Sequence, residues 1–146
     1  MSYRAIRTES SRQWQLQQSA TTDSLGIRRY NDRIMVAIGT GWGFSAGDEI
    51  TILLSSGKKL EAVVGDIKDD RHTCSRNKRT EENGCYLEFI VSVPDIPAAA
   101  RRRGDMTFAG FEGYVVSITE FQEEIDDDEI CITKILQLLE YMFSYY

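Results

Sequence analysis

A cluster of charged groups of both signs lies between residues 66 and 72. It comprises Asp66, Lys68, Asp69, Asp70, Arg71 and the chain's single histidine, His72. A further acid, Glu88, sits in the apolar run Leu87-Glu-Phe-Ile-Val91. Carboxylates of this kind can protonate a leaving oxygen, provided one of them has its pKa raised. Cleavage of a glycosidic bond is the chemistry that most often uses two of them, one as acid and one as base or nucleophile. Asp66 is the candidate acid/base, with Asp70 or Glu88 assisting. Each has a quieter alternative. Asp66 could accept backbone amides, and Glu88 could be a buried acid paired with Lys68 or Arg71. His72 stabilises a charge or bonds its own loop, and Lys68 and His72 are the charged candidates for binding a substrate, with Trp42. Gly39-Thr-Gly-Trp-Gly43 adds glycines close to a flat ring. Trp42 there is either a stacking platform for a ligand or a cap on the core. This is not a phosphate loop, since Gly-Lys-Ser/Thr is missing and no helix is expected after it. One histidine with scattered acids offers no metal-ligand spacing, and no cofactor motif is present.

These groups need a scaffold that fixes their direction. Leu60, Ala62 and Val64 alternate with Glu61 and Val63, the period of a strand, and Gly65 then permits a bend. The spacing predicts strands over 26–30, 33–38, 49–54, 59–64, 85–93 and 113–119. A hairpin turn is expected at Ser55–Lys58 and a long polar loop over 66–84. Pro94 and Pro97 break the fifth strand, and Ala98–Arg103 forms a short helix before Gly104. Short strands with one long loop favour a mainly β fold, a small barrel rather than a sandwich.

A single domain is expected for 146 residues. The net charge of −6 is unevenly spread. Residues 119–146 hold eight acids and only Lys134 as a base, so the body is near neutral. The basic residues are scattered, which argues against a nucleic-acid partner. No run of apolar residues is long enough to span a membrane, and Met1–Ala20 does not read as a signal peptide. Residues 1–23 read as an extended or disordered arm, and 24–119 as the barrel domain. Residues 120–146 read as an acidic hinge and an amphipathic helix. In that helix Ile132, Ile135, Leu136, Leu139, Met142 and Phe143 share one face. The face over 126–144 packs on the barrel or makes a homo-oligomer.

Several runs together carry a resemblance. They are Met35-Val-Ala-Ile-Gly-Thr40, Ala46-Gly-Asp48, Gly57-Lys58, Gly65-Asp-Ile-Lys-Asp-Asp-Arg-His-Thr73, Gly84, Leu87-Glu-Phe-Ile-Val91 and Gly104-Asp105. Over residues 24–119 the chain resembles the RlpA-like double-psi β-barrel. It looks most like the three-aspartate (3D) domain proteins of Gram-positive bacteria and their phages. The resemblance implies a six-stranded barrel with a surface groove that handles polysaccharide, peptidoglycan in particular. By motif, Asp66 is similar to the acid that follows the central strand in such proteins. Glu88 is similar in placement to a second acid in a later strand. The chain departs from the pattern at Cys74, where close relatives often carry Asp. It departs again at Ile67-Lys68, where the lytic enzymes have Gly-Gly. The implied activity is lytic-transglycosylase-like, and the alternative is a non-catalytic glycan-binding or structural module, of phage origin among other sources. The implied location is extracytoplasmic or at the cell surface if a leader was removed, with cytoplasmic or phage-associated as the alternative.

Cys74 and Cys85 bracket the polar stretch Ser75–Gly84. Both loop ends return to neighbouring strands, so a disulfide is geometrically reasonable and would restrain the loop. Two unpaired thiols are the competing expectation.

Overall fold

A computed structural model describes residues 11–122, apart from Asn83 and Gly104. The amphipathic helix expected over 126–144 lies outside the described residues. The fold is mainly β. Its elements are α1 (Arg12–Ser19), β1 (Thr21–Thr22), β2 (Arg28–Tyr30), β3 (Arg33–Gly39), β4 (Glu49–Leu54) and β5 (Lys59–Lys68). There follow β6 (Thr73–Cys74), β7 (Arg79–Thr80), β8 (Leu87–Phe89), α2 (Ala98–Arg103) and β9 (Val115–Glu120).

The main sheet runs β1-β2-β3-β5-β4-β9, and β8 joins the far end of β3. β3 and β5 are parallel, which requires a crossover, and β4 supplies it before the hairpin at Ser55–Lys58 returns the chain as β5. From Ile34 onward β3 is apolar, because it is covered on both faces. On one side lies the larger core, built from Val36, Ile38, Ile50, Ile52, Leu60, Ala62, Val64 and Leu87 among others. On the other, Met35, Ala37, Val63 and Ile90 pack with Leu16 of α1.

Over Arg12–Ser19 that helix corrects the reading of residues 1–23 as an extended or disordered arm; residues 1–10 lie outside the described residues. Its sequence carries little apolar signal, since only Trp14 and Leu16 are apolar. Its stability is tertiary: Leu16 is fully buried, and Ser11 caps the first turn by accepting the Trp14 amide at 3.1 Å. Arg28 then ties the helix end down, donating to the Gln17 carbonyl at 2.8 Å.

The sheet is not closed into a barrel. No strand pairing joins β8 to β9 among the described residues. The physical reason lies in β8, which keeps ladder pairing with β3 for only three residues. After it the chain turns away through Pro94 and Pro97 into α2. The segment 93–113 then wedges between β8 and β9. Phe111 stacks on Phe89 with ring centroids 4.9 Å apart, so side chains fill the seam that backbone hydrogen bonds would otherwise close.

Candidate functional site

The site begins with an irregularity in β5. Val36 pairs with Val64, but the next residue, Ala37, pairs with Asp66, so Gly65 is an extra residue. This is a β-bulge. Without it, Asp66 would continue the row Leu60, Ala62, Val64 and point a carboxylate into the larger core. The bulge turns Asp66 to the opposite face, beside Met35 and Ala37, and hands Ile67 to the larger core instead. A side chain at 65 would have to displace the ends of the Ile90 and Met35 side chains. A Cβ there would lie 2.7 Å from Ile90 Cδ1 and 2.9 Å from Met35 Cε. Asp66 therefore lies within β5, not after it, and so does Lys68, which pairs with Gly39.

Glu88 arrives on the same face from the other side. It is also the register partner of Ala37, through the antiparallel pairing of β8 with β3. Lys68 Nζ meets Glu88 Oε1 at 2.8 Å, with side-chain exposures of 11% and 16%. A row of Asp66, Lys68 and Glu88 is thus laid across Ala37 and Gly39, whose small side chains leave space above them. Burial pushes the Asp66 carboxyl above the ordinary carboxylate value, and the charge of Glu88 adds to the rise. The Ile67 amide and Lys68 pull the other way without cancelling it. The two acids are therefore in different settings. One is desolvated and the other is ion-paired.

The remaining expected residues lie elsewhere. Asp70 is exposed at a 3-10 turn over Asp70–His72 and accepts the Thr40 hydroxyl at 2.6 Å. His72 is exposed, and its backbone carbonyl accepts the Glu81 amide at 2.9 Å. Asp69 pairs with Arg71, whose guanidinium and amide hold its carboxyl down to about 2. These residues form the outer surface of the loop and do not converge on Asp66.

Trp42 has the packing of a cap. Its Nε1–H donates to the Lys78 carbonyl at 3.2 Å, its ring meets Tyr86 edge-on at 5.4 Å, and the Lys78 ammonium lies 4.7 Å above it. The glycines beside it serve the hairpin β6–β7. Ser75, Arg76 and Asn77 are consecutive left-handed residues, and they bring two carbonyls down on the glycine loop. A Cβ at Gly39 would strike the Asn77 carbonyl oxygen, and one at Gly41 would strike that of Arg76. The close approach that these glycines permit is made by the protein's own backbone. The long polar loop expected over 66–84 is accordingly the end of β5, a 3-10 turn and a hairpin.

The expected disulfide is not formed. Cys74 and Cys85 are both exposed and no bond joins them. Cys74 is registered opposite Arg79, whereas the Cys85 carbonyl accepts the Thr80 amide at 2.8 Å.

A cleft of about 920 Å³ occupies the unclosed seam. Glu88 and Phe89 of β8 line it together with Tyr86, and Phe111, Tyr114, Val115, Met106 and Ala100 complete the lining. Tyr114 is 73% exposed, and the Arg79 guanidinium lies 4.4 Å over the Tyr86 ring. Neither Asp66 nor Trp42 lines the cleft; Glu88 is where the charged row and the cleft meet. Phe111 and Gln17 are the residues that sequence reasoning passed over. The signal for Phe111 was the aromatic pair Phe108/Phe111, and that for Gln17 was its position next to Leu16. Among the described residues no group of three or more His, Cys, Asp or Glu is placed to hold a metal, and no helix is long and apolar enough to cross a membrane.

No protein-family model, no curated protein and no solved structure matches this chain.

Proposed function

We propose that this protein acts on polysaccharide, with the glycan strands of the cell wall as substrate class, and cleaves them by acid/base chemistry of the lytic-transglycosylase or glycoside-hydrolase kind. The observation that carries this reading is the pairing of both Asp66 and Glu88 with Ala37 on one face. Strand spacing sets their Cα atoms about 10 Å apart. Their environments differ in the sense that acid/base work needs. Burial raises the Asp66 carboxyl above the ordinary carboxylate value, while Glu88 is ion-paired with Lys68 at 2.8 Å. The aromatic walls of the cleft next to Glu88 suit sugar rings, which offer apolar faces and polar rims. The likeness to the RlpA-like double-psi barrels and the three-aspartate proteins, and with it a place at the cell surface or on a phage particle, belongs to this proposal and rests on the motif over 65–73.

The second reading is a non-catalytic glycan-binding or structural module. It is favoured by the position of Asp66, which is half-buried and stands back from the cleft. Digestion of purified peptidoglycan, with mass detection of the fragments, separates the two. Anhydro-sugar ends indicate a transglycosylase, and ordinary reducing ends a hydrolase. Glycan retention without any fragments means the module. Loss of cleavage in Asp66→Asn and Glu88→Gln, with folding intact, is expected on the enzymatic reading.

A further inference from the structure

α1 lies over the face from which Asp66 projects. Its one fully buried apolar anchor is Leu16, which packs with Met35, Ala37, Val63 and Ile90. Its neighbour Gln17 is 3% exposed, yet neither its Nε2 nor its Oε1 has a hydrogen-bond partner. The amide sits over the bulge, with Nε2 3.4 Å from where a Cβ on Gly65 would be. Burying an amide without a partner opposes closure by an amount comparable to what one buried leucine contributes. The helix is therefore closed by two nearly balanced effects. Its C-terminal end is fastened separately, since Arg28 donates to the Gln17 carbonyl at 2.8 Å and to Thr22 Oγ1 at 2.9 Å. The fastening is a pivot: α1 can swing about the Gln17 carbonyl, lifting the Gln17 side chain off the bulge, while Thr21 and Thr22 stay paired with β2.

We propose that α1 is a displaceable cover over the Gly65–Asp66 end of the charged row, and that the unbonded Gln17 amide keeps it ready to open. Opening gives the Gln17 amide water or a ligand hydroxyl to bond, and it exposes the Asp66 carboxyl. That what is uncovered is a glycan site rests on the reading above; the movement of the cover does not.

Hydrogen exchange on the full chain, without any glycan, tests the cover directly. The α1 amides are expected to exchange by a local opening at least about tenfold faster than those of β3 and β5. Gln17→Leu removes the buried amide at similar volume, so it should slow α1 exchange by about tenfold and leave β3 and β5 unchanged. Leu16→Ala should speed it. The proposal is overturned if α1 exchanges only together with β3 and β5, or if Gln17→Leu fails to slow it. Because no substrate enters the measurement, a chain that cleaves nothing can still have the cover, and an active one can lack it.

Discussion

Asp66 and Glu88 have the same register partner, Ala37, reached from opposite sides of β3. The two acids are brought together by strands far apart in sequence, and neither would face the other if Gly65 were an ordinary strand residue.

The raised Asp66 carboxyl has a defined effect on stability. Its folded pKa lies above its unfolded value of 3.8, so the folded state holds the proton more tightly. The associated stability is fully present below the unfolded value and is lost as pH rises through the folded one. Asp66→Asn should therefore melt higher than wild type at pH 7, with the gap closing as pH falls below about 4. Thermal melts at several pH values check this, and a variant that melts lower at pH 7 contradicts it. An NMR titration should place the Asp66 midpoint above the ordinary carboxylate value.

The Lys68–Glu88 pair is mostly buried, so losing one partner should cost more than a surface pair does. Lys68→Met is expected to lower stability by about 2 kcal/mol, by leaving the Glu88 carboxylate poorly solvated. Glu88→Leu in the same background should recover much of the loss. Denaturant unfolding of the two single variants and the double variant measures the coupling, and simple additivity would show that the pair contributes nothing.

Glycines 39 and 43 should respond differently to alanine. At Gly39 a Cβ collides with the Asn77 backbone, so the hairpin must shift, at a cost of about 3 kcal/mol. At Gly43 nothing lies within 4 Å, and only its left-handed φ of 79° is strained, costing about 1 kcal/mol. Equal losses in unfolding experiments would mean that the hairpin does not press on Gly39.

Cys74 and Cys85 should both react quickly with a thiol reagent in the native protein, because both are exposed. Reduction beforehand should change neither the count nor the mass. A thiol count that rises after reduction would restore the disulfide.

Much of the scaffold was legible, and the reasons differ from element to element. Glu49–Leu54 alternates cleanly because one face is covered and the other is not, and the observed strand has those bounds. Ala98–Arg103 is helical as its composition suggests. Gly65 was harder, since a glycine that ends a strand and one that bulges it look alike until the partner strand is known. The expected strand over 85–93 shrank to Leu87–Phe89 because the chain must leave β3 to fill the seam. That is a tertiary demand with no local signature. Of the site residues, Asp66, Lys68 and Glu88 converge, whereas Asp70 and His72 were drawn in by nearness in sequence and Trp42 by the glycines around it. The Lys68–Glu88 ion pair was legible as the alternative to catalysis, and the structure forms it. α1 was hidden because its single buried leucine has meaning only against Ala37 and Ile90.

The unclosed seam separates two things that a closed barrel would bind together. The ladder from β2 to β9 is set by backbone pairing, while the cleft walls beyond β8 come from a connecting segment, 93–113, held by ring stacking and apolar contact. Substitutions or insertions in that segment can reshape what the cleft admits without altering the register of Asp66 and Glu88. The shape of the cleft can thus diverge between descendants of this chain faster than the scaffold that carries its charged row.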